Sequence, residues 1–164
     1  SAIDEIKRLY GWMATHDPGT TDWEGIGTGG SMFEGGFTSA AHGWATGVLP
    51  ALTNDLLGVT PTGPGFATWS VSPHPGTVAW ARGQLPTPHG PLDVNWTAGS
   101  GRTTFTLIVT APAGTSGTVS VPTGGKQVRV LLDQCPTTDA HGSNGYVSLA
   151  VGSGRHVITV TTAG

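Results

Sequence analysis

The sequence has few charged residues, and this shortage narrows the classes of protein to which it can belong. Charged side chains make up 10% of the 164 residues, against roughly 25% in an average soluble domain. The low charge and the 27 glycine and 12 proline residues exclude a coiled coil and a long solvated helix. The 37% of hydrophobic residues, with six Trp, exclude a chain kept disordered by charge repulsion. With seven Lys and Arg and a net charge of −3, the chain has no basic surface for a phosphate backbone. We therefore expect no nucleic-acid partner.

The sequence also lacks paired cysteines and long apolar runs. Its one cysteine, Cys135, can form neither an internal disulfide nor a thiolate metal cluster. We expect a small buried or half-buried side chain there, with pairing to another chain as the alternative. The histidines show no metal-ligand spacing, so we predict no metal site and no cofactor. No apolar stretch approaches the roughly 20 residues of a membrane span, and we expect no membrane partner.

Glycine and proline are abundant, with 27 and 12 copies, and the chain divides into two unlike parts. In residues 1–62 apolar side chains recur at helical spacing. They predict a first helix that ends near His16 and a second that begins at Thr38 or Ser39, kinks at Pro50 and ends at Gly58. Because two amphipathic helices do not make a domain, we interpret this part as the end of a larger helical domain. We expect five of its apolar side chains to be left bare: Leu9, Met13, Trp44, Val48 and Leu52.

Residues 63–164 contain short stretches in which apolar and polar residues alternate, which predicts β-strands. The expected strands are 78–82, 92–96, 105–109, 117–121, 126–132, 146–151 and 156–162. Seven or eight such strands with frequent turns are typical of an antiparallel β-sandwich or a jelly roll. The alternation places Trp80 on the apolar face of its strand and predicts one core made of Val94, Trp96, Phe105, Leu107, Val109, Val119, Val130 and Leu132.

Candidate residues for chemistry are few and lie in the glycine-rich stretch between the two predicted helices. Glu24 follows Trp23 and precedes Gly25-Ile26-Gly27. An indole ring offers an apolar face to a pyranose, and a carboxylate beside it accepts hydrogen bonds from hydroxyls or activates water. Glu34 is a second candidate for the carboxylate of such a site. The alternative for Glu24 is a structural role, as a solvated or helix-capping glutamate of the loop. His42 lies in the first turns of the second predicted helix, where most histidines have a structural role.

Several motifs follow one another along the chain. They are Trp23-Glu24, Ser39-Ala40-Ala41-His42-Gly43-Trp44, Leu57-Gly58-Val59-Thr60-Pro61, Pro64-Gly65-Phe66, Ala79-Trp80-Ala81-Arg82-Gly83 and Thr87-Pro88-His89-Gly90-Pro91. This series resembles the end of the catalytic domain of α-L-rhamnosidases, family 78 of the glycoside hydrolases, together with the small domain that follows it. The resemblance covers residues 20–125, and residues 126–164 fit by position and strand pattern.

The resemblance implies a mainly β chain: a C-terminal antiparallel, jelly-roll-like β-sandwich (63–164) preceded by the last helices of an (α/α)6 barrel (1–62). Enzymes of the family release terminal α-L-rhamnose from glycosides or polysaccharides with inversion. Glu24 matches their general base, His42 matches a histidine that contacts the rhamnose, and Trp23 would line the same pocket. The general acid lies far upstream in the family, so the implied partners are a rhamnose-containing glycoside or polysaccharide and the upstream part of the enzyme. We expect this chain alone to be inactive.

The alternative to an enzyme is a non-catalytic carbohydrate-binding or structural β-sandwich module. Such a module would use exposed aromatic rings, for which Trp69, Trp80 and Trp96 are the candidates. Asn95-Trp96-Thr97 fits the N-glycosylation acceptor pattern, and alternation turns Asn95 away from Trp96 towards solvent. Together with the low lysine content, this pattern favours an extracellular protein.

Overall fold

The structure, a computed structural model, describes residues 1–16, 21–27, 38–138 and 140–162. The chain divides into two units, Ser1–Ala51 and Leu52–Gly164. Within the described ranges, no helix is both long enough and apolar enough to cross a membrane.

The first unit contains one long helix, α1 (Ala2–His16), which ends at the predicted residue. Asp4 and Glu5 lie in its first turn, where the helix dipole favours negative charge. On its inner side Met13 is buried, although the sequence predicted that this side chain would be bare. The residues proposed to end the helix, Asp17-Pro18-Gly19, lie outside the described residues.

The second helical stretch begins later than predicted and changes its type along its length. It starts as a 3₁₀ helix at Gly43–Gly47, continues as α2 (Val48–Pro50) and ends as a π-helix at Ala51–Leu57. The predicted start at Thr38 or Ser39 is wrong because that segment pairs with another stretch of backbone, described below. The expected kink at Pro50 takes the form of the change to π-helix, since proline has no N–H and its ring crowds the preceding turn.

The second unit consists of eleven described strands in two sheets. The strands are β1 (Val59–Pro61), β2 (Thr68–Val71), β3 (Trp80–Thr87), β4 (Gly90–Ala98), β5 (Thr104–Ala111), β6 (Ser116–Pro122), β7 (Val128–Leu132), β8 (Cys135–Pro136), β9 (His141–Ser143), β10 (Tyr146–Val151) and β11 (Gly154–Thr162). One sheet has the order β1-β2-β6-β10-β9 and the other β3-β4-β5-β11-β7-β8. Neighbouring described strands run antiparallel, except that β2 and β6 are parallel. The predicted mainly β, two-sheet fold is confirmed.

The core lies between the two sheets and contains the residues that alternation predicted. Seven of the eight expected side chains are buried, and Leu132 is partly buried against them. Trp96 is fully buried, stacks on Phe105 with ring centroids 5.5 Å apart, and donates its indole N–H to the carbonyl of Leu56 at 3.1 Å. Trp69 is also buried, and its indole N–H donates to the hydroxyl of Thr115 at 3.2 Å. Neither ring is available as an exposed sugar platform.

The prediction that Trp80 lies on the apolar face of its strand is wrong, because 60% of its surface is exposed. Its strand turns the small residues Ala81 and Gly83 inward instead. Ala81 is paired with the large Trp96 of the next strand. A Cβ on Gly83 would lie 2.7 Å from a methyl carbon of Leu57. Since these neighbours fill the space beneath β3, the indole of Trp80 faces outward.

Two further expectations need correction. Cys135 is exposed, because it lies in the two-residue strand β8 at the edge of its sheet. In the first unit, Met13 and Val48 are buried, and Leu9 is partly covered. The apolar surface that remains bare there centres on Trp44, which is 94% exposed.

Candidate functional site

Two segments of the first unit, residues 21–27 and 38–42, lie side by side and carry the predicted site. The backbone N–H of Glu24 donates to the carbonyl of Ser39 at 2.9 Å, and the N–H of His42 donates to the carbonyl of Asp22 at 2.9 Å. His42 has an extended backbone and precedes the 3₁₀ helix. Because the backbones of Ser39 and His42 are occupied in this pairing, the helix cannot begin there.

Helix α1 supports both segments. Its Met13 sulfur accepts the backbone N–H of Trp23 at 3.5 Å, and the Trp23 side chain is buried. The hydroxyl of Tyr10 donates to the carbonyl of Ala45 at 2.9 Å, just after the second segment. These contacts fix the backbone on which Glu24 and His42 stand.

The Glu24 carboxylate and the His42 imidazole face each other. One carboxylate oxygen of Glu24 accepts the backbone N–H of Ser39 at 3.0 Å and lies 4.0 Å from Nδ1 of His42. A separation of 4.0 Å is too long for a direct hydrogen bond. An oxygen about 2.8 Å from each atom, the usual hydrogen-bond length, spans it. Because the side chains are 48% and 29% exposed, a water or a sugar hydroxyl can enter between them.

Trp44 was predicted to be bare, but the sequence interpretation did not include it in the candidate site. Its ring is 94% exposed, as expected, and it stands edge-on to His42, with centroids 5.9 Å apart and planes at 85°. The signal for this arrangement was its position two residues after His42, before any regular α-helix begins. An exposed indole beside two polar groups is a surface on which the apolar face of a pyranose can pack.

The structure thus brings Glu24, Trp23 and His42 together on one pair of segments. Glu34, the second candidate base, lies outside the described residues. Among the described residues, no cluster of His, Cys, Asp and Glu is arranged to hold a metal ion.

Comparisons with known proteins give matches for both fold and family. Residues 58–133 match the family described as "Bacterial alpha-L-rhamnosidase C-terminal domain". The structure is similar to an alpha-L-rhamnosidase from Dictyoglumus thermophilum, with a TM-score of 0.76 and 23% identity over 91% of this chain and 17% of that one. It is also similar to a Streptomyces avermitilis alpha-L-rhamnosidase complexed with L-rhamnose, with a TM-score of 0.69 and 27% identity over 87% of this chain and 14% of that one.

A third similar structure is the alpha-L-rhamnosidase from Aspergillus terreus, with a TM-score of 0.61 and 25% identity over 86% of this chain and 14% of that one. The chain therefore spans between 14% and 17% of the length of these solved proteins. No curated protein matches the sequence.

The second unit is a two-sheet β-sandwich of the kind found in these alpha-L-rhamnosidases. More specifically, residues 58–133 within this unit match the bacterial alpha-L-rhamnosidase C-terminal domain. The resemblance inferred from the sequence motifs is confirmed.

Proposed function

We propose that this chain is the C-terminal part of an inverting α-L-rhamnosidase and that Glu24 is its general base. The observation that carries the proposal is the juxtaposition of Glu24 and His42, which backbone pairing holds with a gap suited to one oxygen atom. The family of the sandwich supports the substrate class, terminal α-L-rhamnose on a glycoside or polysaccharide.

In the proposed reaction, a water molecule lies between the Glu24 carboxylate and the anomeric carbon. As the water attacks from the face opposite the leaving group, its proton passes to Glu24, and a carboxylic acid elsewhere protonates the departing oxygen. The two carboxyl groups of an inverting enzyme lie roughly 6.5–9.5 Å apart, which leaves room for the water. The bond from Ser39 to one Glu24 oxygen fixes the direction of the carboxylate before substrate arrives.

His42 and Trp23 have supporting parts in this proposal. The imidazole of His42 would hydrogen-bond a rhamnose hydroxyl and so orient the ring against Glu24. Trp23 is 8% exposed, so its main contribution is to form the wall of the pocket beneath the carboxylate. Neither residue takes part in proton transfer.

The larger enzyme is a further part of the proposal. We place residues 1–62 as the last helices of an (α/α)6 barrel, residues 63–164 as the sandwich after it, and the general acid on an upstream part of the enzyme. Its expected location is extracellular, which the low lysine content supports. The family's glycoside substrates support the same location.

Glu24→Gln in the intact enzyme tests the base. The substitution keeps the shape of the side chain but removes its basicity, so hydrolysis of an aryl α-L-rhamnoside should fall by roughly 10²–10⁴-fold. The KM should change little, because binding contacts are retained. The matched control is Glu5→Gln, an exposed glutamate of α1 paired with Arg8, which should leave turnover unchanged.

His42→Ala separates binding from chemistry. It should raise KM more than it lowers kcat, because the imidazole orients the sugar and does not accept the proton. Normal turnover in Glu24→Gln together with a collapse in Glu34→Gln would move the base to Glu34. Absence of rhamnoside cleavage by the intact enzyme would remove the substrate assignment.

A further inference from the structure

The outward face of the six-stranded sheet carries a groove that has no part in the proposed reaction. The groove has a volume of about 360 Å³ and lies over the middle of β3, β4 and β5. Its polar lining comes from residues that face each other across paired strands: Arg82 opposite Asn95, and Gln84 opposite Asp93. Ile108 and Thr110 complete the lining on β5.

The strand geometry gives the groove the footprint of a small saccharide. Three adjacent strands about 4.8 Å apart span about 10 Å, and two residues along a strand span about 7 Å. All three strands are paired through their backbones at this point, so recognition must come from side chains. A bond of 2.7 Å from the Gln84 amide to the Asp93 carboxylate already fixes two of them.

The chemistry of the lining favours a neutral, hydroxyl-rich ligand. Arg82 and Asp93 contribute opposite charges, so the charged residues that line the groove cancel. The guanidinium of Arg82 can donate hydrogen bonds to sugar hydroxyls, and the amide of Asn95 can both donate and accept them. Ile108 supplies an apolar floor. Polyanions and polycations are disfavoured because neither sign of charge dominates.

Trp80 adds an aromatic platform beside the groove. It lies two residues before Arg82 on the same outward face of β3, and its ring is 60% exposed. An exposed indole next to hydrogen-bonding side chains matches a pyranose, which has an apolar C–H face and hydroxyls at its edge. Burial of Trp80 in the core is prevented by its neighbours, so the sheet presents this ring to solvent.

We propose that this groove, with Trp80 at its rim, is a second saccharide-binding site that binds neutral sugar units without cleaving them. The site would hold the enzyme on a polysaccharide surface. Its geometry is independent of Glu24, and only the choice of a rhamnoside as the first probe rests on the proposed function.

The test is binding of methyl α-L-rhamnopyranoside, and of neutral xylotriose and maltotriose, to the 164-residue chain at millimolar concentrations. In amide and indole NMR spectra, the shifts should cluster on Trp80 and on the side chains of Arg82, Gln84 and Asn95. Trp80→Ala should weaken binding by about 3- to 10-fold, the size of one aromatic contact, and Arg82→Ala by about 10-fold. The matched control is Arg129→Ala, an exposed arginine of β7 on the same sheet, which should leave affinity unchanged.

Three results would overturn the proposal. One is that none of the three sugars binds, or that neither Trp80→Ala nor Arg82→Ala changes the affinity. Another is an N-glycan on Asn95 that occupies the groove, seen by mass in the protein and lost in Asn95→Gln. The third is protection of Trp80 from oxidation in the sugar-free intact enzyme, which would make this face a contact between its parts. Because binding is measured without turnover, failure of Glu24 as the base would leave the result standing.

Discussion

At the scale of single residues, Asp133 shows how one carboxylate fixes a turn. Asp133 and Gln134 connect β7 to β8 with positive φ angles of 50° and 70°, a conformation that Asp and Asn tolerate better than most residues. The two carboxylate oxygens accept the backbone N–H of Val157 at 2.7 Å and Nδ1–H of His156 at 2.9 Å. The N–H of Val157, followed by the His156 side chain, holds the pKa of Asp133 below its usual value.

Asp133→Asn tests this contribution, because asparagine keeps the turn and removes the charge. A carboxyl with a lowered folded pKa binds its proton less readily in the native state. It therefore adds stability above its unfolded pKa, about 3.9, and the contribution is lost as pH falls through the lowered value. At pH 7 the variant should lose about 1 kcal/mol or less, since the site is exposed.

The free energy of unfolding of both proteins, from urea titrations between pH 7 and pH 2, checks this prediction. The difference between them should shrink as the pH falls. A difference that stays constant over that range would show that the charge is not its source.

The same scale shows why Trp80 was misplaced while Trp96 was not. Both are large aromatic residues in alternating strands, and sequence alone treats them alike. Trp96 shares its face with Val94 and Leu92, which are all buried, whereas Trp80 shares its face with Arg82 and Gln84, which are exposed. The residues two positions away, which lie on the same face of the strand, therefore predict whether each ring is buried. For Trp80 the prediction relied on the hydrophobicity of the ring and not on these neighbours.

At the scale of elements, long alternating strands were predictable and short or irregular ones were not. The expected strand at 146–151 coincides with β10, and the expected strand at 105–109 lies within β5. The strands β1 and β2 were missed because an alternating pattern cannot be recognised in only three or four residues. The change from α- to π-helix after Pro50 also has no counterpart in a 3.6-residue pattern.

Gly58 ends the helical stretch as predicted, and its substitution gives an element-scale test. Its φ is +87°, and a Cβ there would lie 2.4 Å from backbone atoms of Ser72 and Pro73. Gly58→Ala should therefore destabilise the sandwich by about 1–3 kcal/mol. Gly152→Ala is the control, because a Cβ at that position meets nothing within 4 Å.

Thermal unfolding followed by circular dichroism measures both variants. The midpoint of Gly58→Ala should fall, while that of Gly152→Ala should stay close to the parent. Equal midpoints for the two variants would mean that the helix end adapts to a side chain.

At the scale of the whole molecule, the sequence predicted which residues assemble but not how they are held. Composition and alternation were enough for the sandwich and its core. For the candidate site, the resemblance singled out Glu24 and His42, and their separation of 4.0 Å depends on the pairing of two loop segments. Such pairing is non-local and leaves no periodic signal, so sequence patterns predicted the exposure of Trp44 but not the placement of its ring against His42.

Trp96→Ala tests the assignment of the core. The indole is fully buried, and truncating a buried aromatic side chain typically costs about 3–5 kcal/mol. Trp80→Ala is the matched control on the neighbouring strand and should cost less than about 1 kcal/mol, because most of its ring faces solvent. Urea unfolding compares the two, and similar losses for both would reverse the inside and outside faces of this sheet.

The position of β11 has a consequence for synthesis on the ribosome. This strand, the last one described, lies between β5 and β7 in its sheet. Until it emerges from the exit tunnel, β5 and β7 have unpaired edges, and open edges invite pairing with other chains. Folding of the sandwich must therefore wait until β11 has left the tunnel, and a chain truncated before Gly154 would be prone to aggregate.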